Sequence, residues 1–369
     1  MNLATVDKIA KAVLYEGYML YPYRPSSVKN QQRWNFGVLC PHSYSDAQKG
    51  GEAWTMQTEC LVEASSLTTI EIRVRFLQLV ARSVGELTKP VSELLPGVVP
   101  DFRLVERFAL NGRVYQPWQE AIERELCLPA FNLEALNDKP RHDAFSFSAE
   151  KQYECLINDG GQIVGVIVRE RRAICGVIEV EAKPLADRLW KLSVLIRNTT
   201  PFEVALSSTR DEALLSSMAS THTVLGVHDG KFISLIAPPE EASELAASCK
   251  NQGTWPVLVG EEGQYDTVLS SPIILYDYPQ IAPESAGDLF DGTEIDEILS
   301  LRIMTLTDDE KRETSQSDER ARQMLERTET MPVEQLMKLH GVLRNLRPVD
   351  PSSLDPRSLD PRSPQEETQ

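Results

Sequence analysis

The stretch YECLINDGGQIVGVIVRERRAICGVIEVEAKPLADRLWKLSVLIR, residues 153–197, decides the fold class. It contains four strand-like runs, Tyr153–Ile157, Ile163–Arg169, Ile174–Ala182 and Leu189–Arg197, broken at Asn158-Asp159-Gly160-Gly161, near Arg171-Arg172 and after Ala182. In the last run Trp190, Leu192, Val194 and Ile196 face one way while Lys191, Ser193 and Arg197 face the other, so one face belongs to a core. Connections this short join antiparallel neighbours, which predicts a meander in a sandwich or open barrel.

Toward the N-terminus, Val6, Ile9, Ala10, Val13 and Leu14 recur at helical spacing and predict a helix over 4–14. Ile70, Ile72, Val74 and Phe76 alternate with Glu71, Arg73 and Arg75 as a half-buried strand. Asn111-Gly112 is a pair that tolerates positive φ, and it predicts a hairpin between 103–110 and Val114-Tyr115. Toward the C-terminus the pattern mixes elements: a helix over 211–218, a hairpin turning at Asp229-Gly230, a helix opened by Pro238-Pro239, and strands at 255–259 and 273–276. Beyond Pro283, Thr293 and Thr307 stand as caps ahead of helices, and the twice-repeated SLDPR of the tail offers nothing to bury. The expected class is α+β, with a β-rich antiparallel body, a mixed α+β segment and C-terminal helices. The organisation expected is a β-rich region with a leading helix at 1–145, the meander and mixed segment at 146–283, helices at 284–347 and a disordered tail at 348–369.

The 369 residues are 41% hydrophobic and 25% charged, an ordinary globular composition. No window approaches the roughly 18 uninterrupted apolar residues of a membrane-spanning helix. Asp7, Lys8 and Lys11 interrupt the N-terminus where a secretory signal needs an apolar core, so a cytoplasmic location is expected. A net charge of −17 argues against a generic nucleic-acid binder, because neutralising phosphates takes a concentrated basic surface. The charge is uneven. Residues 284–369 carry 20 acids against 11 basic residues, whereas residues 17–45 carry no acid at all. That acid-free segment holds Arg24, Lys29 and Arg33 among Tyr18, Tyr21, Tyr23, Trp34, Phe36 and Tyr44. Cations interleaved with aromatics are what partner-binding centres use, since both contribute large contact area at small entropic cost.

Templates for catalysis are absent. There is no G-x-x-x-x-G-K-[ST], G-x-G-x-x-G, G-x-S-x-G or H-E-x-x-H, and no cofactor is expected. The acids around Asp291-Gly292 fail as a calcium loop, because Gly287, Leu289 and Ile298 fall where oxygen ligands are required. Six cysteines lie scattered, with no C-x-x-C pair, and are expected to be reduced, buried thiols rather than a zinc site or a disulfide framework. Cys40 and His42 flank Pro41. On an extended chain they share a face, as half of a candidate metal or thiol site that His142 or Cys60 would complete. His222 and His228 flank one strand and stand too far apart to share an ion.

Residues 15–37, YEGYMLYPYRPSSVKNQQRWNFG, resemble a bacterial family associated with the gene clusters of NiFe-hydrogenases of the actinobacterial type. NQGTWPVLVGEEG at 251–263 and SSPIILYDYPQIAPESAGDLFDGTEIDEILSLRIMTLTDDEK at 270–311 are similar to the same family. The resemblance implies an accessory or assembly protein whose partner is a hydrogenase subunit or a maturation protein, and it carries no catalytic residue across. Two readings follow. In the first, Tyr21, Tyr23, Arg24, Lys29, Arg33 and Trp34 dock a partner protein. In the second, the chain is a metal- or small-anion-binding enzyme using Cys40 and His42 with Arg24, Lys29 and Arg33.

Overall fold

The structure is a computed structural model, and it describes residues 3–15, 36–93, 98–205, 207–280 and scattered positions between 306 and 330. In chain order the elements are α1 (Leu3–Tyr15), α2 (His42–Ala47), β1 (Thr55–Val91), β2 (Phe102–Val105), β3 (Phe108–Leu110), β4 (Arg113–Tyr115), β5 (Trp118–Asn132), α3 (Ala135–Asp138), β6 (Arg141–Phe147) and β7 (Glu150–Ile157). There follow β8 (Ile163–Arg171), β9 (Ile174–Ala186), β10 (Leu189–Asn198), α4 (Arg210–Leu214), β11 (Ala219–Ile233), α5 (Ser243–Ala247), β12 (Trp255–Leu258) and β13 (Thr267–Ser271). All but β3 and β4 join one 11-stranded sheet, antiparallel throughout. The expected β-rich α+β architecture is therefore present.

The spine of the sheet is β1, whose 37 residues exchange partners along both edges. One edge pairs with β10 over Thr55–Glu63, then β5 over Thr69–Arg82, then β2 over Val84–Leu87. The other edge pairs with β11 from Leu61 to Leu77 and with β8 from Ala81 to Val91. Beyond these lie β9 and β6 next to β10, β13 and β12 next to β11, and β7 next to β8.

The strand runs of 153–197 lie where the pattern places them, but their neighbours differ from a meander. Strand β8 pairs with β7 and β1, and β9 pairs with β10 and β6, so β8 and β9 are not neighbours. The break at Arg171-Arg172 is a corner from one edge of β1 to the other. The side-chain amide of the fully buried Gln78 on β1 captures the Arg172 carbonyl there at 2.7 Å. The expected division at residue 145 falls inside β6, within this single sheet.

Asp229-Gly230 also departs from expectation. Strand β11 runs straight through it, opposite an irregularity in β1 between Ala64 and Thr69. Asp229 adopts φ 54° and its carbonyl accepts from Thr68 Oγ1 at 2.6 Å. A Cβ on Gly230 would stand 2.8 Å from the Glu63 carbonyl oxygen, so the glycine permits close approach of two backbones at a bulge. By contrast, Asn111 and Gly112, at φ 49° and 75°, do close the β3–β4 hairpin.

The alternation of β1 divides the core in two. Ile70, Ile72, Val74 and Phe76 point inward to a cluster with Ile178, Val194, Leu225 and Phe232, while Leu77 and Leu79 point outward beneath Leu14 of α1. Several polar groups inside are matched. Asn198 donates to the Leu39 and Ser216 carbonyls, and the Ser270 hydroxyl lies 2.7 Å from those of both Thr58 and Thr254. Described positions between 306 and 330 include helical residues such as Lys311, Arg312, Leu325 and Glu326. The remainder of the expected 284–347 helices and the 348–369 tail lie outside the described residues.

Candidate functional site

The acid-free segment begins just after α1. Val6, Ile9 and Ala10 of this helix pack on Val224 of β11 and Leu269 of β13. The Asp7 carboxylate receives Arg75 Nη2 at 2.7 Å, and Arg75 Nε donates to Glu125 of β5. Helix, spine and β5 are thus tied by one guanidinium that is largely buried, where charge-assisted bonds count for more than at an open surface.

The segment returns to the described chain at Phe36 and rejoins the same strand. The amides of Ser220 and Thr221 donate to the carbonyls of Phe36 and Gly37 at 3.0 and 2.9 Å, and Leu39 and Met218 exchange both backbone hydrogen bonds. Gly37 has φ 53°, and a Cβ there would stand 2.7 Å from the Pro272 ring and 3.0 Å from the Thr221 nitrogen, so only glycine fits. Both flanks of the segment are therefore fastened to β11. Tyr21, Tyr23, Arg24, Lys29, Arg33 and Trp34 themselves lie outside the described residues.

Between the two anchors, on the outer face of β11, sits His222. It pairs in register with Arg75 and is fully buried. Nδ1 lies 3.0 Å from the Ser220 carbonyl and Nε2 has no hydrogen-bond partner, which makes Nδ1 the protonated nitrogen of a neutral ring. Burial pushes its pKa down to about 4, with the Ser220 carbonyl opposing. The sequence reading weighed His222 only as a metal ligand beside His228. The signal it passed over is the run Ala219–Val227, which carries no formal charge apart from the imidazole, as befits a strand covered on both faces.

Cys40 and His42 do not share a face. The chain turns helical at His42, which opens α2, so the alternation expected of an extended chain stops at Pro41. Cys40 packs with Leu14, Val38, Tyr44 and Leu77, and burial pushes its thiol up to about 11. The His42 ring lies at the surface, stacked on Trp54 at 3.9 Å and 3.3 Å from an Asp46 carboxylate oxygen. Neither proposed completing ligand joins them. Cys60 is buried in the inner core and His142 faces Glu179 from β6. Among the described residues no group of three or more His, Cys, Asp or Glu side chains is arranged to hold a metal ion. Of the six thiols expected to be buried, only Cys40 and Cys60 are; Cys127 is exposed and Cys155, Cys175 and Cys249 are half-buried. Thiol chemistry follows these placements. On native protein, iodoacetamide is expected to label the exposed Cys127 well before Cys40 or Cys60, read by mass spectrometry of timed samples. Early labelling of Cys40 would contradict its burial.

What the arrangement offers chemically is a rigid, charge-tied platform of α1, β1, β5 and β11 carrying both ends of a cationic, aromatic segment. No helix among the described residues is long and apolar enough to cross a membrane. No protein-family model matches this chain, and no curated protein matches it either.

Proposed function

We propose that this chain is a non-catalytic accessory protein of a NiFe-hydrogenase system that binds a partner protein through the basic, aromatic segment at 17–45. The observation that carries the partner-binding reading is the double anchorage. The helix before the segment and the Phe36–Leu39 stretch within it are both fixed on β11, on either side of the docking residues at 21–34. A binding segment whose ends are held by a rigid scaffold loses less conformational freedom on docking than a free tail does. Its three cations and lack of carboxylates, in a chain of net charge −17, suit an acidic partner surface. The hydrogenase assignment rests on the resemblance of 15–37, 251–263 and 270–311. The enzyme alternative draws no support from Cys40, whose thiol is buried and protonated, nor from His42, which faces elsewhere.

The test is a triple substitution, Arg24→Ala, Arg33→Ala and Trp34→Ala, in the producing host. Hydrogenase activity in these cells is expected to fall at least several-fold while the chain accumulates to its usual level. Unchanged activity would refute the docking assignment.

A further inference from the structure

Helix α1 lies along the outer face of β11. Val6, Ile9 and Ala10 pack with Val224 toward one end of this face, and Leu14 packs toward the other in the cluster that holds Ala219 and Leu77. His222 stands between, on the same face as Val224, because side chains of a strand alternate. The helix therefore roofs the imidazole, which has no exposed surface although its Nε2 has no partner. Such a nitrogen takes a proton at little cost only once water reaches it.

The charges around the ring make a buried proton costly. On β1, Arg75 is its partner in register, and Arg73, on the same face, is bonded to Glu71. On β5 stand Glu123 and Glu125, and Glu125 is bonded to Arg75. On α1, Asp7 accepts from Arg75 at 2.7 Å, while Lys8 and Lys11 are exposed. Strand β13 and the Phe36–Leu39 stretch carry no ionisable side chain. Asp7 and Glu125 are thus both committed to Arg75, and an imidazolium would stand beside that guanidinium as a second buried cation. Burial and the Arg75 charge both disfavour the charged ring, and the Ser220 carbonyl, Glu125 and Glu123 oppose them only in part.

Proton uptake must then move something away from the ring, and its two sides are held differently. Backbone ladders bond β11 to β1 along one edge and to β13 along the other. Side chains hold α1, through Val6, Ile9, Ala10, Leu14 and the Asp7–Arg75 pair. Lifting a helix held in this way costs less than opening a strand paired on both edges, so partial opening starts at α1.

We propose that His222 is a proton-sensitive catch beneath α1: uptake of a solvent proton at Nε2 raises the helix from β11 while the sheet stays folded. The Phe36–Leu39 stretch keeps its backbone bonds to β11, so acid leaves the residues at 21–34 anchored on their C-terminal side only. The device stands whether or not those residues dock a partner.

The experiment is hydrogen exchange of the full chain at pH ~7 and pH ~5, read by mass spectrometry on peptides covering α1 and β9–β10 and corrected for the intrinsic exchange rate at each pH. The raised helix lets the ring titrate near its ordinary ~6.5, and the closed one holds it at about 4, so the open fraction is expected to rise about 20-fold over this interval. Protection of α1 falls by the same factor and stays below that of β9–β10 at both pH values. His222→Gln is expected to change α1 protection less than about twofold between them. If His222→Gln does not fold, Asp7→Asn replaces it, removing the tie to Arg75 and keeping the ring. Protection of α1 is then expected to drop at both pH values with the ratio of about 20 intact, which assigns the titration to the ring and not to Asp7. Protection of α1 that does not change with pH, that equals that of β9–β10 throughout, that changes alike in wild type and His222→Gln, or that loses its pH dependence in Asp7→Asn overturns the proposal.

Discussion

Replacing Phe76 by alanine is expected to cost about 3–5 kcal/mol of folding stability, the range for deleting a large aromatic from a packed core. Phe76 has no exposed surface and stands where β1, β5 and β6 converge, with ring centroids 5.8 Å from Phe147 and 6.3 Å from Phe145. Both aromatic contacts lie within the distance at which such pairs add to burial. The cavity cannot collapse easily, because Phe76 stands on β1, which backbone ladders to β5 and β11 hold along both edges. For a chain of this size the loss corresponds to a fall of roughly 10 °C in melting temperature. Leu67→Ala, at a position 72% exposed, is the control and is expected to change stability by less than about 0.5 kcal/mol. Denaturant unfolding of the two variants checks this, and a Phe76→Ala cost below about 1 kcal/mol would contradict the packing described around Phe76.

The second large effect is acid destabilisation through His222. In the unfolded chain this imidazole titrates near its ordinary value of about 6.5, whereas burial holds it at about 4 in the folded protein. The unfolded state therefore binds the proton first, and the stability associated with keeping the ring neutral is full above pH ~6.5 and is lost as pH falls toward about 4. The difference of some 2.5 units corresponds to about 3 kcal/mol at one pKa unit per ~1.4 kcal/mol. The charged groups around it are Arg75 on β1, Asp7 on α1, and Glu123 and Glu125 on β5. Burial alone would raise Glu125, but the hydrogen bonds from Arg75 and Cys127 together with the Arg75 and Arg73 charges outweigh this and its pKa lies below the ordinary value, so its contribution is lost only at lower pH than that of His222. Urea unfolding at a series of pH values is expected to give a steep loss between pH ~6.5 and ~4.5 in the wild type and a much flatter profile in His222→Gln. Parallel profiles for the two proteins would refute the assignment.

How much of this was legible in the sequence varied with the physics behind each signal. Alternation marked the strands of 153–197, and Asn111-Gly112 marked a true hairpin, because both are local. Asp229-Gly230 gave the same local signal and meant something else. There the positive φ serves a bulge, and the reason lies in Glu63 and Thr68, distant in sequence. The strand expected at 273–276 was misplaced for a related reason. Ile274 and Tyr276 are apolar but 73% and 83% exposed, while the buried strand is the hydroxyl-bearing Thr267–Ser271. Its hydroxyls are tolerated inside because partners such as Thr58 and Thr254 meet them, and no periodicity encodes those partners. Cys40 and His42 were paired by a parity rule that fails once α2 begins at His42. The Arg124–Gln78 pairing was invisible altogether, since 46 residues separate the two and only the register of β5 on β1 unites them. The charge anomaly at 17–45 was legible, and so was the helix before it, whereas the need for a glycine at residue 37 was not, because Gly37 is demanded by Pro272 and Thr221, distant in sequence.

The most direct test of partner binding through the anchored 17–45 segment is affinity capture of the full chain from its producing cells, wild type beside the Arg24→Ala, Arg33→Ala, Trp34→Ala variant, with bound proteins quantified by mass spectrometry. The account expects a hydrogenase subunit or maturation protein to accompany the wild type and to be lost from the variant, with melting temperatures unchanged. Recovery of the same proteins in equal amount with both forms, or of no hydrogenase component with either, would contradict it.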